Sequence, residues 1–299
     1  MKMKFLIRVI YLSLIAHGLM AQGDPAVIND IVYARVDGKE LRLDMARPLT
    51  GDGPFPVVLH FHGGGWQAGD KSHGRSRIVK LARAGYVAVS VGYRFAPQYA
   101  WPAQVYDAKS AIRFLREHAK DYLIDADRIG VAGDSAGGYL ALMLGLTDKH
   151  DKLEGDARAD SPSTRVQAVV TFCSAGDFTR SGHRKISPEL DQQITTYYKK
   201  PLSQVIAEFT GTTDPDDPKL ARMSARSYAS AGDPPVLIFQ GEIDPLISME
   251  QVDELQHALK EAGVPVQVVV VKGGGHGWYG ALLDETEQQM IDFFDQKLK

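Results

Sequence analysis

Gly133-Asp134-Ser135-Ala136-Gly137-Gly138 decides how this chain folds. Before it, Arg128-Ile129-Gly130-Val131-Ala132 is a short apolar run that predicts a buried strand. After it, Tyr139 to Leu146 is too evenly apolar for a surface helix. Strand, G-x-S-x-G, helix is the context of a nucleophile elbow, a sharp turn that lifts a serine hydroxyl clear of the backbone. Such a turn is strained and needs small neighbours where the chain passes close to itself, which Gly133 and Gly137 supply. The helix then points its unpaired N–H groups and positive dipole end at any negative charge that forms beside Ser135.

Outward from the elbow, short apolar runs alternate with helical patterns. Strands are expected at Val57 to Phe61, Tyr86 to Val91, Val166 to Cys173, Val236 to Gln240 and Val266 to Val271. Helices are expected at Ser76 to Ala84, Ala103 to Ala119, Ser248 to Ala262 and Glu285 to Lys297. Ile28 to Val36 and Leu41 to Ala46 alternate around Asp37-Gly38, the signal of an antiparallel edge hairpin. The pattern is that of an α/β fold, a mostly parallel sheet with helices on both faces. It is interrupted between about 177 and 228 by loops and two short helical stretches, Glu189 to Lys199 and Leu202 to Phe209, which read as an inserted helical cap. No repeat or linker divides the chain, so residues 22–299 form one domain.

Composition narrows the function. Apolar residues make up 44% and charged residues 24%, a globular balance, and the net charge of -3 with no basic stripe argues against nucleic acid. Cys173 is the only cysteine, which excludes an intrachain disulfide; at the end of an apolar run it reads as a packed thiol. Met1 to Arg8 is basic and Val9 to Met20 apolar, followed by Ala21 and a polar stretch. That is a secretory signal peptide, residues 1–21 with cleavage after Ala21 or alternatively Gly18, and implies an exported protein without a membrane anchor.

The chemistry gathers at strand ends. Gly63-Gly64-Gly65, Ser135, Asp244 and His276 each fall just past the C-terminal end of an expected strand, and those ends share one rim of a parallel sheet. A serine hydroxyl needs a base, and the base needs a carboxylate. His276 sits in Lys272-Gly273-Gly274-Gly275-His276-Gly277-Trp278, a glycine-rich loop able to carry an imidazole over a neighbouring strand end. Asp244 lies in Gly241-Glu242-Ile243-Asp244-Pro245, and the order Ser, Asp, His is that of α/β-hydrolases. Asp177 and Glu242 are the rival acids, and Asp134 is expected to brace the elbow through backbone hydrogen bonds. Backbone N–H groups of Gly64, Gly65 and Ala136 are the expected oxyanion donors, with His62 anchoring their loop. Trp66, Trp278 and Tyr279 adjoin the site and could stack on a sugar or aryl ring.

Three other readings of the glycine loop are weaker. Gly63-Gly64-Gly65-Trp66-Gln67-Ala68 fits G-x-G-x-x-A, but the next strand ends in Ser90-Val91-Gly92-Tyr93 without an acid for a ribose. Gly69-Asp70-Lys71-Ser72 lacks the Gly-Lys pair of a phosphate loop. His60 and His62 point the same way and could hold zinc, yet no companion ligands appear. No metal or cofactor is therefore expected.

With His62-Gly63-Gly64-Gly65-Trp66, Gly92-Tyr93-Arg94-Phe95-Ala96-Pro97, Gly133 to Gly138 and the Asp244 and His276 loops assembled, the chain resembles α/β-hydrolase esterases related to hormone-sensitive lipase. It is most similar to their bifunctional feruloyl and acetyl-xylan esterase-like branch. The resemblance implies Ser135 as nucleophile, His276 as base, Asp244 as acid, and Gly64, Gly65 and Ala136 as the oxyanion hole. Two places depart from the branch: Gln240-Gly241 where His-Gly is usual, and Met223-Ser224-Ala225-Arg226 where Ala-Ser-Pro is frequent. The implied activity is an exported serine esterase removing acetyl or feruloyl groups from plant polysaccharide. The alternatives are a general short-chain carboxylesterase, a serine peptidase or formamidase, and an inactive hydrolase fold that only binds.

Overall fold

The Asp37-Gly38 turn forms as its residues require: both have positive φ, 50° and 74°, the geometry that closes a tight hairpin. It joins strands Val27–Val36 (β1) and Lys39–Ala46 (β2) in antiparallel register. The computed structural model describes residues 25–179 and 187–299; the expected signal peptide and His183 lie outside the described residues.

Six further strands follow: Phe55–Phe61 (β3), Val87–Val91 (β4), Ile124–Asp134 (β5), Ala168–Phe172 (β6), Val236–Gly241 (β7) and Val266–Val271 (β8). The sheet has eight strands in the order β1-β2-β4-β3-β5-β6-β7-β8. β2 joins β4 antiparallel, and from β4 to β8 every pairing is parallel. The helices are Arg75–Arg83 (α1), Ala103–Glu117 (α2), Ala119–Tyr122 (α3), Ala136–Leu146 (α4), Pro188–Tyr198 (α5), Leu202–Thr210 (α6), Lys219–Met223 (α7), Met249–Glu261 (α8) and Ala281–Leu298 (α9).

The period-2 geometry of β3 sorts its side chains between two cores. Val57, Leu59 and Phe61 join the core formed with α2, α4 and α8, while Val58 faces the core formed with α1 and α9. Every residue of α4 is buried, which explains its lack of a polar stripe. This is the α/β-hydrolase fold with a helical cap.

Sequence periodicity missed the small elements. The insertion holds α7 and a short 3-10 turn at Ala225–Tyr228 besides the two expected helices. β5 begins at Ile124, earlier than its apolar run, because Ile124 pairs with Phe55. Such pieces are too short to carry a period. Among the described residues no helix is long and apolar enough to cross a membrane.

Phe294 of α9 is fully buried against the strands of the second core. Phe294→Ala should cost about 3–5 kcal/mol, read as a lower urea midpoint with an unchanged slope. A midpoint equal to that of the parent would show that α9 does not hold this face of the sheet.

Candidate active site

The elbow forms where β5 meets α4. Ser135 has φ 50° and ψ -115°, a conformation costly for a residue with a side chain. It is held by the Ser135 N–H donating to the Phe172 carbonyl at 2.8 Å. A β-carbon at Gly137 would lie 2.1 Å from the Phe61 carbonyl oxygen, and one at Gly133 would lie 2.3 Å from the Gly137 backbone. Gly137 is thus required by close approach of the end of β3 to the first turn of α4, and Gly133 by the approach of the end of β5 to the same turn.

The structure brings Ser135, His276 and Asp244 together. His276 Nε2 is 2.8 Å from Ser135 Oγ, and His276 Nδ1 is 3.0 and 3.1 Å from the two Asp244 oxygens. An ionised carboxylate only accepts, so Nδ1 carries the proton and the Nε2 lone pair receives the serine hydroxyl. Asp244 Oδ1 also accepts from Leu246 N–H at 2.8 Å and Ile247 N–H at 3.0 Å, and Oδ2 from Gln240 Nε2 at 3.0 Å. Burial alone would raise this carboxyl, but the hydrogen bond and electrostatic attraction of His276 and the Ile247 and Leu246 amides outweigh it and hold the group below its ordinary value. Gln240, the departure seen in sequence, therefore serves the acid directly.

The His276 loop packs closely on the end of β7. A β-carbon at Gly241 would lie 2.1 Å from the Gly275 carbonyl oxygen. Ile243 N–H donates to Gly274 O at 2.9 Å, so the acid and base loops are stitched together.

The rival acids are engaged elsewhere. Asp177 accepts from Thr179 and Ser224 and pairs with Arg226; Glu242 accepts from Gly273 N–H at 2.9 Å. Asp134 differs from expectation. Its described partners are side chains, with Arg77 Nη1 at 2.8 Å and His60 Nε2 at 2.8 Å. The surrounding strand amides are already spent in the sheet, and a carboxylate enclosed there needs a cation. Its side chain is 38% exposed and lines the cavity with Ser135. Burial pushes it up, the Arg77 charge and His60 outweigh that, and the carboxyl sits well below its usual value.

The glycine loop lies against the elbow. Gly64 has φ +124° and Gly65 φ +59°, and a β-carbon at Gly64 would meet the Ala68 carbonyl oxygen at 2.1 Å. Gly64, Gly65 and Ala136 all line the cavity with Ser135. His62 anchors the loop: its Nδ1 lies 2.7 Å from Gly63 O, its ring stacks on Tyr93 with centroids 4.5 Å apart, and Tyr93 Oη donates to His62 O at 2.8 Å. One ring nitrogen of each histidine serves a protein partner, Asp134 for His60 and Gly63 O for His62.

Cys173 Sγ, Asp244 and His276 place donor atoms within 4.8 Å of one another, the one such grouping of potential metal ligands among the described residues. Burial pushes the Cys173 thiol up to about 12, and Asp244 and His276 are bonded to each other. The set suits the hydrogen-bonded pair better than a cation. Cys173 is buried as expected, but beside the functional groups.

The cavity measures about 870 Å³. Cap residues Ile194, Leu202, Val205 and Ile206 line it together with Leu246 and Ile247, while Arg77 and Asp134 make part of it polar. The expectation of open stacking faces is corrected for two of three aromatics. Trp66 stacks on Phe209 with centroids 3.9 Å apart and donates its indole N–H to Ala136 O at 3.1 Å. Trp278 is 7% exposed and donates to Thr286 Oγ1 at 2.9 Å. Both rings are spent on packing. Tyr279, 88% exposed, keeps a free ring at the cavity.

Burial moves the His62 imidazole from 6.5 to about 4, against the Gly63 bond that raises it. A histidine held neutral in this way stabilises the fold fully above about pH 6.5, and the contribution is lost as pH falls toward 4. His62→Asn should therefore flatten the acid slope of the urea midpoint between those values. An unchanged slope would show that another group governs it.

Comparison with known proteins follows the same lines. The BD-FAE family profile matches residues 43–259. The probable carboxylic ester hydrolase LipM of Mycobacterium tuberculosis is 30% identical over 249 residues, covering 80% of this chain and 54% of LipM. This chain thus spans about half the length of that relative. The ethyl acetate hydrolase of Pseudomonas putida is 29% identical, with 90% of this chain and 81% of that protein covered. Among solved structures, a thermophilic esterase of Thermogutta terrifontis, Est2, with butyrate bound matches at TM-score 0.73 and 26% identity, covering 91% of this chain and 94% of that one. The same esterase phosphonylated by sarin matches at TM-score 0.74 and 26% identity, covering 93% and 97%.

Proposed function

The chain belongs to the BD-FAE family, and from that premise and the geometry of the site we propose a serine carboxylic ester hydrolase that removes short acyl groups. The observation that carries the proposal is the continuous hydrogen-bonded line Ser135–His276–Asp244 beside the glycine loop. His276 takes the Ser135 proton as Oγ attacks the ester carbonyl, and Asp244 stabilises the imidazolium. The carbonyl oxygen gains negative charge and is met by the N–H groups of Gly64, Gly65 and Ala136. His276 returns the proton to the departing alcohol, leaving an acyl-serine, and a water activated by the same imidazole releases the acid. Apolar cap residues suit a short acyl chain, as the butyrate found in the Thermogutta esterase is short. Phosphonylation of that esterase by sarin is consistent with an activated nucleophile in this fold.

For the natural ester we propose acetyl or feruloyl groups on plant polysaccharide, met outside the cell after signal-peptide removal. The basic and apolar N-terminus supports export, and the free Tyr279 ring supports a sugar or aryl alcohol at the mouth. A second reading, a general short-chain carboxylesterase, is favoured by the likeness to the ethyl acetate hydrolase across most of both chains.

Ser135→Ala should lower kcat for p-nitrophenyl acetate by at least ~10⁴-fold, and Asp244→Asn by about 10⁴-fold through the wrong imidazole tautomer. EDTA should leave the rate unchanged. Acetate release from acetylated xylan decides between the two substrates: fast cleavage of the aryl ester with untouched xylan and feruloyl esters rules out the polysaccharide reading.

A further inference from the structure

Tyr198 ends α5 and lines the cavity with Gly65, Ser135 and His276. A β-carbon at Gly65 would lie 2.9 Å from Tyr198 Oη and 3.2 Å from its Cζ. Position 65 is therefore small partly because a cap hydroxyl occupies the space above it. Among the described residues that hydroxyl has no hydrogen-bond partner; the ring packs edge-on against Tyr197 with centroids 4.7 Å apart. Burial pushes the phenol up to about 12, so it is a neutral donor at ordinary pH.

The next cap helix, α6, packs on the same glycine loop. Gln67 Nε2 donates to Val205 O of α6 at 2.8 Å, and the Trp66 ring lies on Phe209 of α6 with an interplanar angle of 7°. The same hypothetical β-carbon at Gly65 would touch Val205 Cγ1 at 3.3 Å. Cap and glycine loop thus form one packed unit, with the Tyr198 hydroxyl against Gly65 in the cavity that Ser135 also lines.

We infer that Tyr198 donates a hydrogen bond to the carbonyl oxygen of the bound ester, strengthening as that oxygen becomes charged, so that the cap supplies a catalytic group as well as a wall. The inference rests on the esterase reading of Ser135. The proton stays on the phenol throughout, and only the strength of its bond changes. A preorganised donor acts mainly on the transition state, so its loss appears in kcat.

Tyr198→Phe in the full chain removes one oxygen and leaves the ring. With p-nitrophenyl acetate, kcat should fall at least ~10-fold, within reach of the ~10²–10³-fold cost of losing an oxyanion donor, while KM stays within about twofold. Affinity for a trifluoromethyl ketone, whose adduct with serine carries the oxyanion, should fall by the same factor while inhibition by acetate does not. A smaller fall in kcat, a loss carried by KM, or unchanged ketone affinity overturns the inference. If the variant does not fold, difluorotyrosine at 198 replaces it: its more acidic hydroxyl should bring the alkaline loss of kcat to lower pH, and an unmoved limb overturns the inference. Hydrolysis that survives Ser135→Ala would instead sink the esterase reading, so the two failures are distinguishable.

Discussion

The end of β3 and the first turn of α4 are pressed together with no room for a β-carbon between the Phe61 carbonyl and position 137. That contact places the glycine loop beside Ser135, because His62 to Gly65 continue directly from Phe61. The proposed oxyanion hole depends on this approach of two segments far apart in sequence: Gly64 and Gly65 come from one side, Ala136 from the other. The backbone conformation of Ser135, φ 50°, is sustained by the same packing. α4, buried along its whole length, gives the turn a fixed support.

Around this contact the charges are divided. On one side Asp244 is surrounded by donors that keep it ionised and aimed at His276. On the other, Asp134, Arg77 and His60 form a network continued by Glu287, 3.0 Å from Arg77, and by Lys80, 2.6 Å from Glu287. Removing a buried ion pair's partner is costlier than the pair is stabilising. The network is better understood as fixing how α1 and α9 meet the elbow than as a source of net stability. Two carboxylates of one site thus stay charged for different reasons, Asp134 by a guanidinium and Asp244 by an imidazole and backbone amides.

The cap is the less regular half. Its helices contribute apolar lining and pack Phe209 onto Trp66, which in turn bonds to Ala136 O. The ring that sequence reading offered to a substrate instead transmits the position of the cap to the elbow. Trp278 is similarly taken by Thr286. An aromatic residue next to a catalytic motif packs before it binds, since burying its ring is favourable in the absence of any ligand.

From the sequence alone the fold class, the elbow, the meeting of Ser135, His276 and Asp244 and the glycine loop beside them could be read, because each depends on local rules. Turn chemistry, strand and helix periods, and the rim shared by parallel strand ends are properties of short segments. The roles of Arg77, Gln240 and Tyr198 could not be read, nor that Asp134 would choose side chains over backbone. Those depend on which side chains from remote elements share a space. Gln240 alone left a trace, as a departure from its family's pattern. Tertiary packing decided the rest: burial removes water as the alternative partner, so each enclosed charge must find its counterpart across the fold.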